Sequence, residues 1–583
     1  MQTEASREAA KNQEHWTSFK PSKRRTEKCL ISDVSSDRPF AFFAVSSYPA
    51  LPPKRTCLFQ LESDTLPAMR TVFLWLNLAL GLWAAPLELH LRARSRTVAD
   101  TNQWEVVNRS ASWDPTRTAV VICDMWDKHH CPDATERVGE MAPRMNAVIA
   151  AARRQGALII HCPSDTMDFY AQHPGRILAQ SAPKIATRIP LENWCKLKPD
   201  VEAPLPIDDS DGGCDGCPEC PSFKAWSRQH PALEILPGDA ITDSAEAYYL
   251  MHQRGITNVI VMGVHINMCV LGRPFSVRQM IRQGQNVVLM RDLTDSMYNH
   301  RKWPYVNHFR GTERVVEHIE KYWCPSITSA DFLGGEPFHF QADQPKHVVI
   351  VVGENEYHTW ETLPEFARQF LSERGYRVSW VMASPDPQDS NFKNWEALRS
   401  ADLVILSARR RSAPAEMLNL LRQHLAQGKP LVGLRTASHA FELRDHKEPT
   451  PTTWPNFDQE ILGGQYQDHY GTGPGKNTVI RQQPTASPHP ILNGLAPEFR
   501  SLSHLYRNRH LKSTATPLLI GQTEDGASEK EPIAWINTAD QRRVFYTSLG
   551  APSDFADPNF RRLLGNAVIW TLDELIPPAE AKF

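Results

Sequence analysis

The sequence predicts an α/β protein built as two three-layer αβα domains with mostly parallel sheets. Three observations carry that expectation. Short β-branched apolar runs recur without polar alternation, as in strands buried on both faces. Helical stretches separate them, so successive strands are joined by right-handed crossovers. The pattern occurs twice, and each block is long enough to bury its own core.

In the first block the strands read at 119–123 (AVVIC), 157–161 (ALIIH), 258–262 (NVIVM) and 286–290 (NVVLM). Helices are expected at 141–155 and 244–254, with Gly156 and Gly255 just beyond them, where a glycine closes a helix. In the second block the strands read at 347–352 (HVVIVV), 377–382 (RVSWVM), 402–406 (DLVIL), 430–434 (PLVGL) and 543–547 (RVFYT). Helices are expected at 361–373, 415–427 and 559–572. The join at 326–346 is rich in Gly, Pro and polar residues, and the boundary is placed near Ala342. The expected domains span 100–330 and 346–575. Residues 445–475 hold many Gly, Pro and His, and are expected to form a long ordered loop over the second sheet.

The N-terminal segment is different. Residues 1–68 are polar, with mixed charge and no period, and read as a disordered extension or a mis-assigned gene start. Met69 and Arg70 precede a 12-residue apolar run at 72–83 (VFLWLNLALGLW), followed by small residues. That run is too short for ~30 Å of hydrocarbon and fits a signal peptide at 69–85. Export to the periplasm or the outside is expected, with no membrane span once the signal is removed. The alternative is a buried or interfacial helix behind a genuine extension.

Composition excludes several classes. Hydrophobic residues are 41% of 583, so the chain is not wholly disordered. Lys+Arg is 64 and Asp+Glu is 66, a net charge of -2, so no global field recruits nucleic acid. Eleven Cys in a chain this long do not make a disulfide scaffold.

Asp124 follows the strand 119–123, and catalytic groups gather at the carboxyl ends of strands in open α/β sheets. Cys269 follows another strand and precedes a helical run at 271–283. A thiol at a helix N-terminus is biased toward thiolate, and the free N–H groups there hold an oxyanion. Taken singly, Asp124 is equally a capping residue and Cys269 a small buried hydrophobe.

The segment GVHINMCV around Cys269 resembles the nucleophile motif of the isochorismatase-like cysteine hydrolases, which include nicotinamidases. The resemblance covers roughly 115–330, with Asp124 in VVICDMWD at the place of the general base. It implies a non-proline cis peptide at Val264-His265 that aims backbone N–H groups near Met268 and Cys269 at a substrate carbonyl. It further implies a small-molecule substrate with an amide-type bond, attacked by Cys269 while Asp124 moves the proton. The family's Lys is missing: the segment LEILPGDAITDSAEAYY has none, and Leu236 or Thr242 fills the slot. Lys224, Arg228 and Lys128 are the candidates to replace it. After the cis bond the family has Thr or Asp, where this chain has Ile266 and Asn267. Three readings stay open: a C–N hydrolase with a relocated cation, an isochorismatase-type hydrolase, and a catalytically defective binding protein.

The D-x-H-x-x-x-H metal motif of nicotinamidases is absent, so no cofactor is required by this reading. His129, His130 and Cys131 could bind a metal or form a solvated loop. Cys214, Cys217 and Cys220, with Cys195 upstream, suit a structural zinc, or a disulfide such as Cys195 with one of the trio, or free thiols.

Residues 346–575 resemble the ThuA-like (trehalose utilisation) branch of the class I glutamine-amidotransferase-like fold, flavodoxin-like in architecture. The stretches that carry this are HVVIVVGENEYHTWETLPEF, PLVGLRTASHAF and RVFYTSLGAPSDFADPNFRRLLGNAVIWTL. Amidotransferases place Cys on the turn after the strand equivalent to PLVGL; Arg435 stands there, and no Cys follows Cys324. Thiol amidotransfer is therefore excluded. His358, Arg435 and His439, with Glu354, His469 or Asp554, are candidates to bind a carbohydrate or a metal. Each His is also a candidate hydrogen-bonded loop residue, and Trp360, Trp454 and Tyr470 suit sugar stacking or core packing. A homo-oligomer is expected.

Overall fold

The computed structural model describes residues 85–97, 103–217, 221–386, 389–445, 448–484 and 488–581. The expected extension at 1–68, the leader through residue 84, and Cys220 lie outside the described residues. No helix among the described residues is long and apolar enough to cross a membrane.

The first sheet contains β1 (Leu87–Arg96), β2 (Trp104–Trp113), β3 (Thr118–Cys123), β4 (Leu158–Cys162), β5 (Ala240–Ile241), β6 (Asn258–Val264), β7 (Asn286–Asp295) and β8 (Ser326–Ile327). Its order is β2-β1-β8-β7-β6-β3-β4-β5. From β8 to β5 all pairs are parallel. The unalternated runs have a direct cause, because the sheet is covered on both faces. Ala119, Val121 and Cys123 enter one core while Val120 and Ile122 enter the other. Full burial of each Val or Ile among them stabilises by ~1.5–3 kcal/mol.

The antiparallel hairpin β1–β2 at one edge was not anticipated. Its signal is a period of two: Leu87, Leu89 and Leu91 are buried, and Glu88 and His90 are exposed. The helix Pro132–Arg154 starts nine residues before the expected 141. Pro132 opens it, where a missing N–H costs nothing. Val138, Met141, Met145, Val148 and Ile149 form its buried stripe.

The second sheet contains β9 (His347–Gly353), β10 (Arg377–Ala383), β11 (Phe392–Lys393), β12 (Leu403–Ala408), β13 (Leu431–Leu434), β15 (Asn477–Gln482), β16 (Glu498–His504), β18 (Ala515–Thr523), β19 (Glu531–Asn537) and β20 (Val544–Thr547). Its order is β11-β10-β9-β12-β13-β20-β19-β18-β15-β16. Strands β10 to β20 are parallel, and again both faces are covered, with Ile350 in one core and Val349 in the other. Beyond β20 the sheet continues through four antiparallel strands that the sequence reading did not foresee. The expected loop at 445–475 is not wholly irregular. It contains a helical turn, Asp458–Leu462, and β14 (Gln465–His469), which pairs with β17 (Tyr506–Arg509).

The join is packed. Phe340 is buried against the first domain's core, and Gln341 N–H donates to Glu140 at 2.6 Å. Across the two domains, Arg310 and Arg314 of the helix His308–Tyr322 donate to the Glu373 carbonyl at 3.1 and 2.9 Å.

Candidate functional site

Asp124 leaves the end of β3 fully buried and in the left-handed region, at φ 45°. Its N–H donates to the Cys162 carbonyl, and its carboxylate accepts the Ser164 N–H at 2.8 Å. The neighbouring strand β6 needs Gly263, whose φ is 109° and where a Cβ would collide with the Cys123 carbonyl. The Val264-His265 peptide beyond it is cis. The chain then turns back on itself, with the Met268 and Val270 N–H groups donating to the His265 carbonyl at 3.0 and 3.2 Å.

Cys269 opens a single helical turn, Cys269–Gly272, and the expected helix at 271–283 is broken before Val277–Arg282. A four-residue helix has little dipole to offer a thiolate. Burial pushes the Cys269 thiol well up, and Asp124 adds to the rise, while Arg273 opposes it. Burial and Asp124 thus favour the thiol over the thiolate expected of a helix N-terminus. Met268 is also not a free oxyanion donor, because its N–H is engaged by His265. The Cys269 N–H donates to no backbone carbonyl among the described residues.

A cation does stand beside this pair: Arg273, four residues after Cys269. Its Nε donates to Asp124 at 3.3 Å, Nη2 stands 3.6 Å from Asp165, and it is hydrogen-bonded to the Cys269 sulfur. The Trp194 ring lies under the guanidinium, 5.6 Å from its carbon, and against Gly272, where a Cβ would meet it at 2.8 Å. Of the candidates named from sequence, Lys224 donates to the Asp165 carbonyl, Arg228 lies over Phe169 and Lys128 is exposed. Thr242 bonds Glu246, and Leu236 is exposed. Burial raises the Asp124 carboxyl, and Arg273 pulls it back toward the ionised form.

A buried ion network behind the site was invisible in the sequence. Arg137 bridges Asp295 at 2.7 Å and Asp215 at 2.9 Å, and His308 bridges the same pair at 2.8 and 3.0 Å. The Asp295 carbonyl takes the Ile266 N–H at 2.8 Å, so this network anchors the turn that carries Cys269. Buried His265, whose Nε2 has no partner, lies 5.0 Å from His129. His129 is not in a solvated loop: it stacks with Trp126 and Trp226.

Cys195 is a free buried thiol that donates to Gln279, which rules out its pairing with the Cys214 group. The sulfurs of Cys214 and Cys217 are 3.6 Å apart, too far for a bond to one another. Both are engaged, however, and neither is a free thiol. Among the described residues no group of three His, Cys, Asp or Glu could hold a metal ion.

In the second domain, Arg435 and His439 come together beyond β13, both buried. The Arg435 guanidinium lies between the Tyr357 and Tyr506 rings, and His439 packs 4.4 Å from Tyr466. His358 does not join them: its side chain is 51% exposed, and it lies against Trp360 and Glu361. Glu354 is structural, accepting the N–H groups of Glu356, Tyr357 and Thr359. Asp554 accepts from Gly550, Ala551 and Ser501. His469 is exposed, 4.3 Å from His504. Trp454 packs in the core against Phe457, and Tyr470 donates to Glu531. Sequence reasoning missed Tyr357, Tyr466, Ser503, His504 and Tyr506, four of which come from strands it did not foresee.

The chain thus joins two αβα domains, one centred on an Asp-Cys-Arg constellation and the other on a buried Arg ringed by Tyr and His. Residues 346–571 match the family model described as ThuA, trehalose utilisation. Among solved structures, a ThuA-like protein from Bacteroides uniformis ATCC 8492 aligns at 18% identity and a TM-score of 0.31, over 42% of this chain and 99% of its own. A cysteine hydrolase from Pseudomonas syringae pv. phaseolicola 1448A aligns at 16% and 0.23, over 37% and 91%. An isochorismatase family protein from Burkholderia thailandensis aligns at 17% and 0.18, over 31% and 79%. No curated protein matches the chain.

Proposed function

We propose that the first domain hydrolyses an amide-type C–N bond of a small molecule through Cys269, and that the second binds a sugar-related ligand. Export from the cell is part of the same proposal, on the strength of the apolar run at 72–83. The observation that supports the hydrolase is the convergence of Asp124, Cys269 and Arg273 at the carboxyl ends of adjacent strands β3 and β6.

Asp124 takes the thiol proton as the Cys269 sulfur bonds to the carbonyl carbon. The Cys269 N–H faces the oxygen that becomes negative. Asp124 then passes the proton to the leaving nitrogen, the C–N bond breaks, and a thioester remains. Water attacks that thioester, giving a proton to Asp124, and the departing sulfur recovers it. Arg273 balances the negative charge that moves between Asp124 and the sulfur. A neutral resting thiol suits this sequence, because the proton leaves only as the bond forms.

The test is ammonia release from a panel of amides by the full chain. C269A and D124N should each lower kcat by about 1,000-fold or more. Turnover by C269A at the wild-type rate sinks the nucleophile assignment and leaves water-based chemistry in its place; no turnover of any amide by the wild type leaves a binding protein.

A further inference from the structure

The second domain holds a buried cation with no carboxylate among its hydrogen-bond partners. Arg435 is 1% exposed and lies in the left-handed region at φ 43°, at the carboxyl end of the parallel strands, where α/β sheets bind ligands. Its guanidinium carbon is 4.0 Å from the Tyr357 ring centre and 4.7 Å from that of Tyr506. In the guanidinium plane, Nη1 donates to the Ser548 carbonyl at 2.6 Å and to the Ser503 hydroxyl at 3.2 Å. Nη2 stands 3.4 Å from His504 Nε2, and the buried Nε–H has no partner. None of these partners is a carboxylate. Asp554 is linked through two hydroxyls: it accepts from Ser501 at 2.5 Å, and Ser501 is 2.7 Å from Ser503.

The free edge of this guanidinium, Nε–H with the second Nη2 hydrogen, matches the paired oxygens of a carboxylate or phosphate. Asp554 attracts the guanidinium only from beyond the two hydroxyls, and an anion on the free edge would give this buried charge a direct partner. The surroundings agree. Arg409, Arg410 and Arg444 add positive potential at His439, although Arg409 and Arg410 pair with Glu356 and Glu442. Burial and these arginines hold His439 uncharged, and burial, Arg435 and His469 do the same for His504. Ser503, His504 and Tyr466 are half-buried, and the His504 contact is the longest of the Arg435 bonds.

We propose that this site binds a small anionic sugar, a sugar carboxylate or a sugar phosphate, with its anion on the free edge of Arg435. The sugar component rests on the proposed role of the second domain; the charge does not.

The experiment is calorimetric titration of the full chain with glucuronate, glucose 6-phosphate and glucose. One or both anions should bind about tenfold or more tightly than glucose, and which of them does so decides between carboxylate and phosphate. R435Q should remove the preference while circular dichroism remains that of the wild type. If R435Q fails to fold, S503A takes its place, because it touches only one Arg435 bond. It should change anion affinity about threefold or more and leave glucose unchanged. Equal binding of glucose and the anions overturns the charge assignment and leaves the sugar reading standing. An anion preference that survives R435Q, or is untouched by S503A, overturns the site. No binding of any of the three at millimolar concentration overturns both readings. C269A should bind as the wild type does, so the outcome is independent of the first domain's chemistry.

Discussion

Removing the charge at Arg273 should move two titrations at once. The guanidinium lowers the pKa of both Asp124 and Cys269, against the burial that raises them. In R273Q both groups titrate at higher pH. Asp124 must be ionised to accept the thiol proton, so the acid limb of the kcat/KM profile should shift upward. The alkaline limb, set by the thiol, should shift in the same direction. R273K should restore part of the charge but not the fork that meets Asp124, Asp165 and the sulfur together. A pH–rate profile of R273Q that superimposes on the wild type would remove Arg273 from the mechanism. Sequence spacing contained the clue, since residues four apart share a helical face, but the resemblance directed attention upstream of Cys269.

At the scale of elements, β6 and the turn after it position Cys269. Gly263 has no room for a side chain against the Cys123 carbonyl, and its φ of 109° disfavours any other residue. G263A should lose about 3 kcal/mol of stability, read by denaturant melting, with loss of activity even below the melting transition. A second element-level prediction concerns Trp194, which packs on Gly272 and under Arg273. W194A should free the guanidinium and lower kcat/KM by about tenfold, without changing which residues are essential. An unchanged kcat/KM in W194A would show that Arg273 needs no such support.

At the scale of the molecule, the buried network of Arg137, Asp215, Asp295 and His308 ties the core helices to the site. Against burial, Asp295 and Asp215 raise His308 to about 9, while His308 and Arg137 hold both carboxylates well below the usual carboxylate range. The His308 contribution is complete below its unfolded pKa of about 6.5 and is lost as pH rises through about 9. It amounts to on the order of 3 kcal/mol. The carboxylate contributions run the other way and are lost on acidification. Denaturant melts should therefore show stability falling between neutral pH and the His308 titration, and H308Q should abolish that slope. A wild-type curve flat across this range would contradict the charge state of the network.

The sequence alone determined the parallel centres of both sheets, because strands covered on both faces must be continuously apolar, and AVVIC, NVIVM and HVVIVV are. It also placed Asp124 at a strand end and Cys269 just beyond one, since a turn is local information. What it left out is what depends on distant segments meeting. The antiparallel strands β15 to β19 have mixed burial and interrupting prolines, such as Pro517 and Pro532, so no clean period marks them. The same strands and their neighbours supply the residues around Arg435, so that site became visible only when they closed over it. Cys269 illustrates the remaining gap: its position followed from local pattern, but its protonation was decided by tertiary burial and by the charges of Asp124 and Arg273 beside it.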